Sequence, residues 1–167
     1  ITLSGVTGSY LVGIPTDPDA DYGPLVTAAH REKVKAYIDQ GVAEGAELVV
    51  DGLGFAMQGY NGFYLGGSLF DHVTSGMKTY QEEIFGPVLQ IARAKDFDEA
   101  IALPSKHQYG NGVAIFTRDG DAAREFASRV KVGMIGINVP IPVPLAYHTF
   151  GGWKRSAFGD TNQHGME

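Results

Sequence analysis

No cysteine occurs in the 167 residues. Disulfides, thiolate metal sites and a thiol nucleophile supplied by this chain are therefore excluded, and a cytoplasmic setting is expected. Long apolar runs are lacking too. Nothing approaches the ~20 residues that span a bilayer, and Ile1-Thr2-Leu3-Ser4 has no basic leader start. Basic charge is scarce: 13 Lys and Arg stand against 19 Asp and Glu, a net charge of −6. Phosphate surfaces would repel such a chain, so neither nucleic acid nor a membrane is expected as partner. His30, His72, His107, His148 and His164 show no i,i+4 pairing, and no metal site is expected. Ser156 sits in no nucleophile elbow.

What remains is an ordinary soluble composition, 44% apolar and 19% charged, enough for one core at this length. Glycine is abundant, with 23 residues, which predicts many tight loops, the usual setting for binding residues. Residues 1–16 read as an atypical lead segment or linker, and 16–21, with three Asp and Pro18, as turn-rich. After Gly23-Pro24 the spacing of Leu25, Val26, His30, Val34, Tyr37, Ile38 and Val42 predicts a helix. Thr27 is a candidate N-cap, and Gly41 and Gly45 predict fraying at its end.

Leu48-Val49-Val50 predicts a short strand, Phe63-Tyr64-Leu65 the start of a second, and 75–81 a short helical piece. Beyond these the pattern alternates: strand 88–92, helix 96–103 capped by Asp96 and Glu99, strand 112–117, helix 119–129, strand 132–138. Short links between such elements imply parallel strands and right-handed crossovers. The expected fold class is α/β, a mostly parallel open sheet with helices on both faces, incomplete. Ligands in such sheets sit beyond the carboxyl ends of strands. The loop after Asn138, stiffened by Pro140, Pro142 and Pro144, is therefore a candidate substrate-pocket wall.

The run Tyr80-Gln81-Glu82-Glu83-Ile84-Phe85-Gly86-Pro87-Val88 carries the most chemistry. Two acids lead into an aromatic, a Gly-Pro turn and a strand, a layout able to hold a carboxylate and a ring at a sheet's mouth. With Gly23-Pro24 and Phe150-Gly151-Gly152-Trp153-Lys154, it resembles the aldehyde dehydrogenase superfamily. Tyr109-Gly110-Asn111-Gly112, the run from Ile137 to Pro144, and Tyr147-His148-Thr149-Phe150 resemble its methylmalonate-semialdehyde dehydrogenase group. So does Phe158-Gly159-Asp160-Thr161-Asn162-Gln163-His164-Gly165. The resemblance covers residues 17–167 as a partial catalytic domain and is poor over Ile1 to Leu11.

That resemblance implies an NAD-dependent oxidation of malonate or methylmalonate semialdehyde, with coenzyme A as co-substrate and a homo-oligomeric parent. It places the dinucleotide-binding domain and the cysteine loop before residue 1, and the family's final strand after Glu167. Glu83 would hydrogen-bond the nicotinamide ribose, Phe85 would pack beside the nicotinamide, and Lys33 would approach the ribose. Asn138, Ile141 and Phe150 would lie on the substrate side. From the residues alone, the alternatives are a solvated acid for Glu83, plain packing for Phe85 and Phe150, one charge of a charged helix for Lys33 and a loop anchor for Asn138. No catalytic residue is expected within the chain. Taken literally, it is either a piece of an enzyme or a non-catalytic α/β binding or assembly module.

Overall fold

The computed structural model describes residues 10–149 and 151–158. They belong to two compact units, one running to Arg93 and one starting at Ala94. The first described residues close a loop. Leu11 N–H donates to Asp21 Oδ2 at 2.7 Å, Asp21 N–H returns to Leu11 O at 2.8 Å, and Val12 bridges Tyr22. Asp17 turns the tip by accepting Asp19 N–H through Oδ1 at 3.0 Å.

Helix α1 (Ala28–Ala43) starts where Thr27 Oγ1 accepts His30 N–H at 3.1 Å and satisfies one orphan donor. It buries Val34, Tyr37, Ile38 and Gly41. Gly41 does not fray the helix as expected. A Cβ there would sit 2.9 Å from Phe70 Cζ, so this glycine lets the helix lie close on the sheet. The end falls at Gly45, with φ of 95°. Its N–H meets Val42 O while Ala46 N–H meets Gly41 O, both at 3.0 Å, the paired bonds that close a helix on a left-handed residue.

Three strands follow: β1 (Glu47–Val50), β2 (Ser68–Asp71) and β3 (Val88–Gln90). β2 lies in the middle, antiparallel to β1 and parallel to β3, and is buried throughout. The strand expected at Phe63-Tyr64-Leu65 is displaced. Phe63 makes only a bridge to Leu25, and the ladder starts at Ser68. Gly52 and Gly66 explain the delay, since a Cβ on Gly52 would lie 2.2 Å from Gly66 O. The chain crosses itself there before it can pair. A short helix α2 (Lys78–Gln81) then leads to β3, and Val34, Ile38, Leu65, Phe70 and Ile84 close the core.

The second unit holds α3 (Phe97–Lys106), β4 (Tyr109–Gly110), β5 (Gly112–Ile115), α4 (Gly120–Arg129), β6 (Met134–Ile137) and β7 (Trp153–Lys154). Asp96 Oδ1 accepts Glu99 N–H at 2.8 Å, whereas Glu99 Oε2 takes Lys95 N–H at 2.7 Å, one residue before the cap. α3 runs past Pro104, beyond the expected end at 103. Its last carbonyls find a donor in Lys154 Nζ, at 3.0 Å from Pro104 O and 3.1 Å from Ser105 O. β5 and β6 pair in parallel on either side of α4, as expected, and β4 pairs antiparallel with β7. Ile101, Phe126, Val130 and Val132 form this unit's core. The whole is an incomplete α/β arrangement with mixed pairing. No helix among the described residues is long and apolar enough to cross a membrane.

Candidate functional site

Residues 82–87 join α2 to β3, and their side chains divide by role. Glu82 is committed to the protein. Its carboxylate accepts the Tyr37 hydroxyl in a short bond and lies 3.9 Å from Lys78 Nζ. That carboxylate, with burial behind it, raises the Tyr37 hydroxyl above its usual pKa. Glu83 is exposed, and its carboxylate has no hydrogen-bond or ion-pair partner among the described residues. Ile84 turns inward to the core. Phe85 turns outward, 73% exposed, on a backbone with φ of 56°. Gly86 lies against α1, where a Cβ would come within 2.6 Å of Val34 Cγ1.

Glu83 and Phe85 flank an open groove of about 380 Å³, whose wall includes Thr79, Gly86 and Gln90. Thr79 Oγ1 and Gln90 Oε1 are buried in that wall without a hydrogen-bond partner among the described residues. An unpaired carboxylate can accept two vicinal hydroxyls, and an exposed ring beside it can take a flat heterocycle on its face. The residues present thus fit a nucleotide's ribose and ring.

His30 is the neighbour that sequence reasoning missed. Its Nε2 lies 2.6 Å from the Phe85 carbonyl oxygen. In the sequence His30 stands as one position of the helical spacing and as a histidine without metal-ligand pairing, with nothing to name Phe85 as its partner. The signal was positional: His30 and Val34 are i,i+4 on one helix face, and that face meets Phe85 and Gly86. Lys33 is rotated to the next face, toward Tyr37. Its Nζ sits 5.7 Å from the Tyr37 ring centroid, and it lines a second cavity of about 220 Å³ with Gln40 and Lys78. The structure does not bring Lys33 into the groove of Glu83 and Phe85.

In the second unit, Asn138 follows β6 with φ of 57°. Its Oδ1 accepts Thr117 N–H at 2.9 Å and its Nδ2 donates to Thr117 O at 3.0 Å. The amide thus acts as the loop anchor, tying the ends of β5 and β6 together. Ile141 is 83% exposed with φ of 47°, on an apolar loop that contains no regular element through 149. Phe150 lies outside the described residues.

The aldehyde dehydrogenase family model matches residues 3–167. Malonate-semialdehyde dehydrogenase of Pseudomonas aeruginosa is 60% identical over 157 residues, 93% of this chain and 32% of that protein. Among solved structures, a Sinorhizobium meliloti protein provisionally assigned as a methylmalonate-semialdehyde dehydrogenase, solved with NAD, superposes with a TM-score of 0.95. It shares 59% identity, over 98% of this chain and 33% of that one. Methylmalonate-semialdehyde dehydrogenase of Oceanimonas doudoroffii gives 0.93 and 52%, over 97% of this chain and 33% of that one. The chain thus spans about a third of the length of the relatives it matches.

Proposed function

We propose, because this chain belongs to the aldehyde dehydrogenase family, that it forms the nicotinamide-side wall of an NAD-dependent, coenzyme A-acylating semialdehyde dehydrogenase. The substrate of the whole protein is malonate or methylmalonate semialdehyde, as the names of its relatives suggest. NAD, when bound, supplies the hydride acceptor. This chain's part is to hold and aim. Glu83 accepts the two ribose hydroxyls, Phe85 shields one face of the nicotinamide, and the loop of Ile141 and Phe150 walls the aldehyde's path. The nucleophile comes from a cysteine elsewhere in the protein, since none is present here.

The observation that carries this reading is the division of labour between the two acids. Glu82 is held by Tyr37, and Glu83 beside it faces the groove unpaired. Glu83→Gln in the whole enzyme removes charge while keeping shape, so the nicotinamide is misplaced more than released. Single-turnover NADH formation should fall by on the order of 100-fold, the scale of a small misplacement, with a modest rise in KM for NAD. Glu82→Gln should change neither, because an amide oxygen still accepts from Tyr37. Equal rates for Glu83→Gln and the parent, or a larger loss at Glu82, would sink the assignment.

A further inference from the structure

We infer that His30 is a positioning residue that holds Phe85, and through it the face on which the nicotinamide ring rests; this builds on the function proposed above. Phe85 is an aromatic residue at φ of 56°, a region that L residues with bulky side chains rarely enter. Such a conformation persists only where its surroundings over-determine it. The Phe85 ring supplies little of that hold, being 73% exposed. Its neighbours supply part: Ile84 is buried in the core, and Gly86 packs on Val34 with no room for a Cβ.

The remaining degree of freedom is the peptide between Phe85 and Gly86, and His30 takes its carbonyl at 2.6 Å. A carbonyl only accepts, so His30 Nε2 carries the hydrogen, in the neutral Nε2–H tautomer or as imidazolium. His30 is itself fixed, because Thr27 Oγ1 accepts its backbone N–H at 3.1 Å at the helix start. The N-cap thus fixes the backbone from which the imidazole reaches the strained peptide. The imidazole's job is geometric, so the required property is a hydrogen-bond donor at that reach, with no proton transferred.

The test uses the whole enzyme with His30→Ala, His30→Met, which keeps bulk and donates nothing, and His30→Gln, whose amide donates at a similar reach. Crystal structures of the variants should show Phe85 out of the positive-φ region in the Ala and Met forms and retained in the Gln form. Single-turnover hydride transfer should fall roughly 10- to 100-fold in the first two, with the thermal midpoint little changed, and recover in Gln. His30→Met keeps the question open to measurement if His30→Ala does not fold. An unmoved Phe85 in His30→Met overturns the proposal, as does a rate loss that Gln fails to restore. Glu83→Gln is run alongside. If that variant alone is silent, the cofactor reading fails, while the conformation of Phe85 in His30→Met still decides the tether.

Discussion

The loop carrying Glu83 and Phe85 and the loop beginning at Asn138 both place non-glycine residues at positive φ, but they are held differently. In the first, Ile84 enters the core, Gly86 packs on Val34, and Phe85 is met by His30. In the second, the contacts to the rest of its unit among the described residues lie mainly toward the ends. Asn138 binds Thr117, Gly136 lies under the Val139 carbonyl, and the chain returns to β4 through β7. Between them Ile141, Val143, Leu145 and Tyr147 are exposed. A loop that aims a polar group needs its own scaffold, whereas one that offers an apolar wall needs only its ends placed.

Both loops offer surfaces and neither offers a nucleophile, which gives the largest expected effect. The 167-residue chain alone, mixed with NAD, coenzyme A and malonate semialdehyde, should form no NADH above a protein-free control. Positioning cannot replace the missing covalent step. Any sustained NADH production would mean that this chain has chemistry of its own.

The contrast in fastening predicts unequal costs for filling two glycines, Gly86 within the first loop and Gly133, which lies before β6 against the far end of the second. A Cβ on Gly133 would lie 1.6 Å from the Gly151 carbonyl, and one on Gly86 would meet the Val34 methyls at 2.6 and 2.7 Å. Backbone cannot move aside cheaply, whereas a valine can rotate. Gly133→Ala should cost about 3 kcal/mol and Gly86→Ala about 1 kcal/mol, the two ends of the overpacking range. Gly54→Ala, with nothing within 4 Å, is the neutral control. Denaturant unfolding of the three variants measures this, and equal losses at Gly133 and Gly86 would break the comparison.

These contacts show which parts of the molecule were legible in the sequence. Thr27 and Asp96 cap helices as read, because capping depends on residues within one turn. The crossover from β5 to β6 was legible because apolar runs and caps alternate cleanly there. What could not be read depends on contacts distant in the chain. The Gly52–Gly66 crossing displaced a strand, Lys154 extended α3 past Pro104, and His30 reached Phe85 across 55 positions. The acidic pair stood out as a motif, but both acids line the groove, and Tyr37 decides which of them is engaged by the protein.

The second loop's two strained residues sharpen the comparison further. Asn138 tolerates positive φ and uses its amide, whereas Ile141 at φ of 47° is β-branched and 83% exposed. Asn138→Ala loses both bonds to Thr117 and the tolerance, and should cost about 2 kcal/mol. Ile141→Asn should stabilise by up to about 1 kcal/mol, relieving strain at little loss of burial. Unfolding midpoints of the two variants decide it. A destabilised Ile141→Asn would mean that its side chain is covered in the whole protein.

The smallest effect concerns the frame beneath the first loop. Asp71, at the end of β2, receives Arg93 through Nε at 3.0 Å and Nη2 at 2.5 Å, and His72 N–H at 2.7 Å. The Arg93 hydrogen bonds, helped by that backbone donor, hold its carboxyl below the usual carboxylate range. A depressed folded value means the unfolded chain takes up this proton first as pH falls. The stabilisation is therefore complete above the ordinary Asp value of about 3.9 and is lost as pH drops through the lower folded value. Arg93→Ala removes the main cause, so acid unfolding should begin at a higher pH while stability at pH 7 falls slightly. Arg129→Ala, which breaks exposed pairs to Asp98 and Glu125 in the second unit, should leave the acid limb nearly in place, as surface pairs contribute little. Circular dichroism followed from pH 7 to pH 2 separates the two. An acid limb shifted more by Arg129→Ala than by Arg93→Ala would show that the buried carboxylate of β2 is not what limits stability in acid.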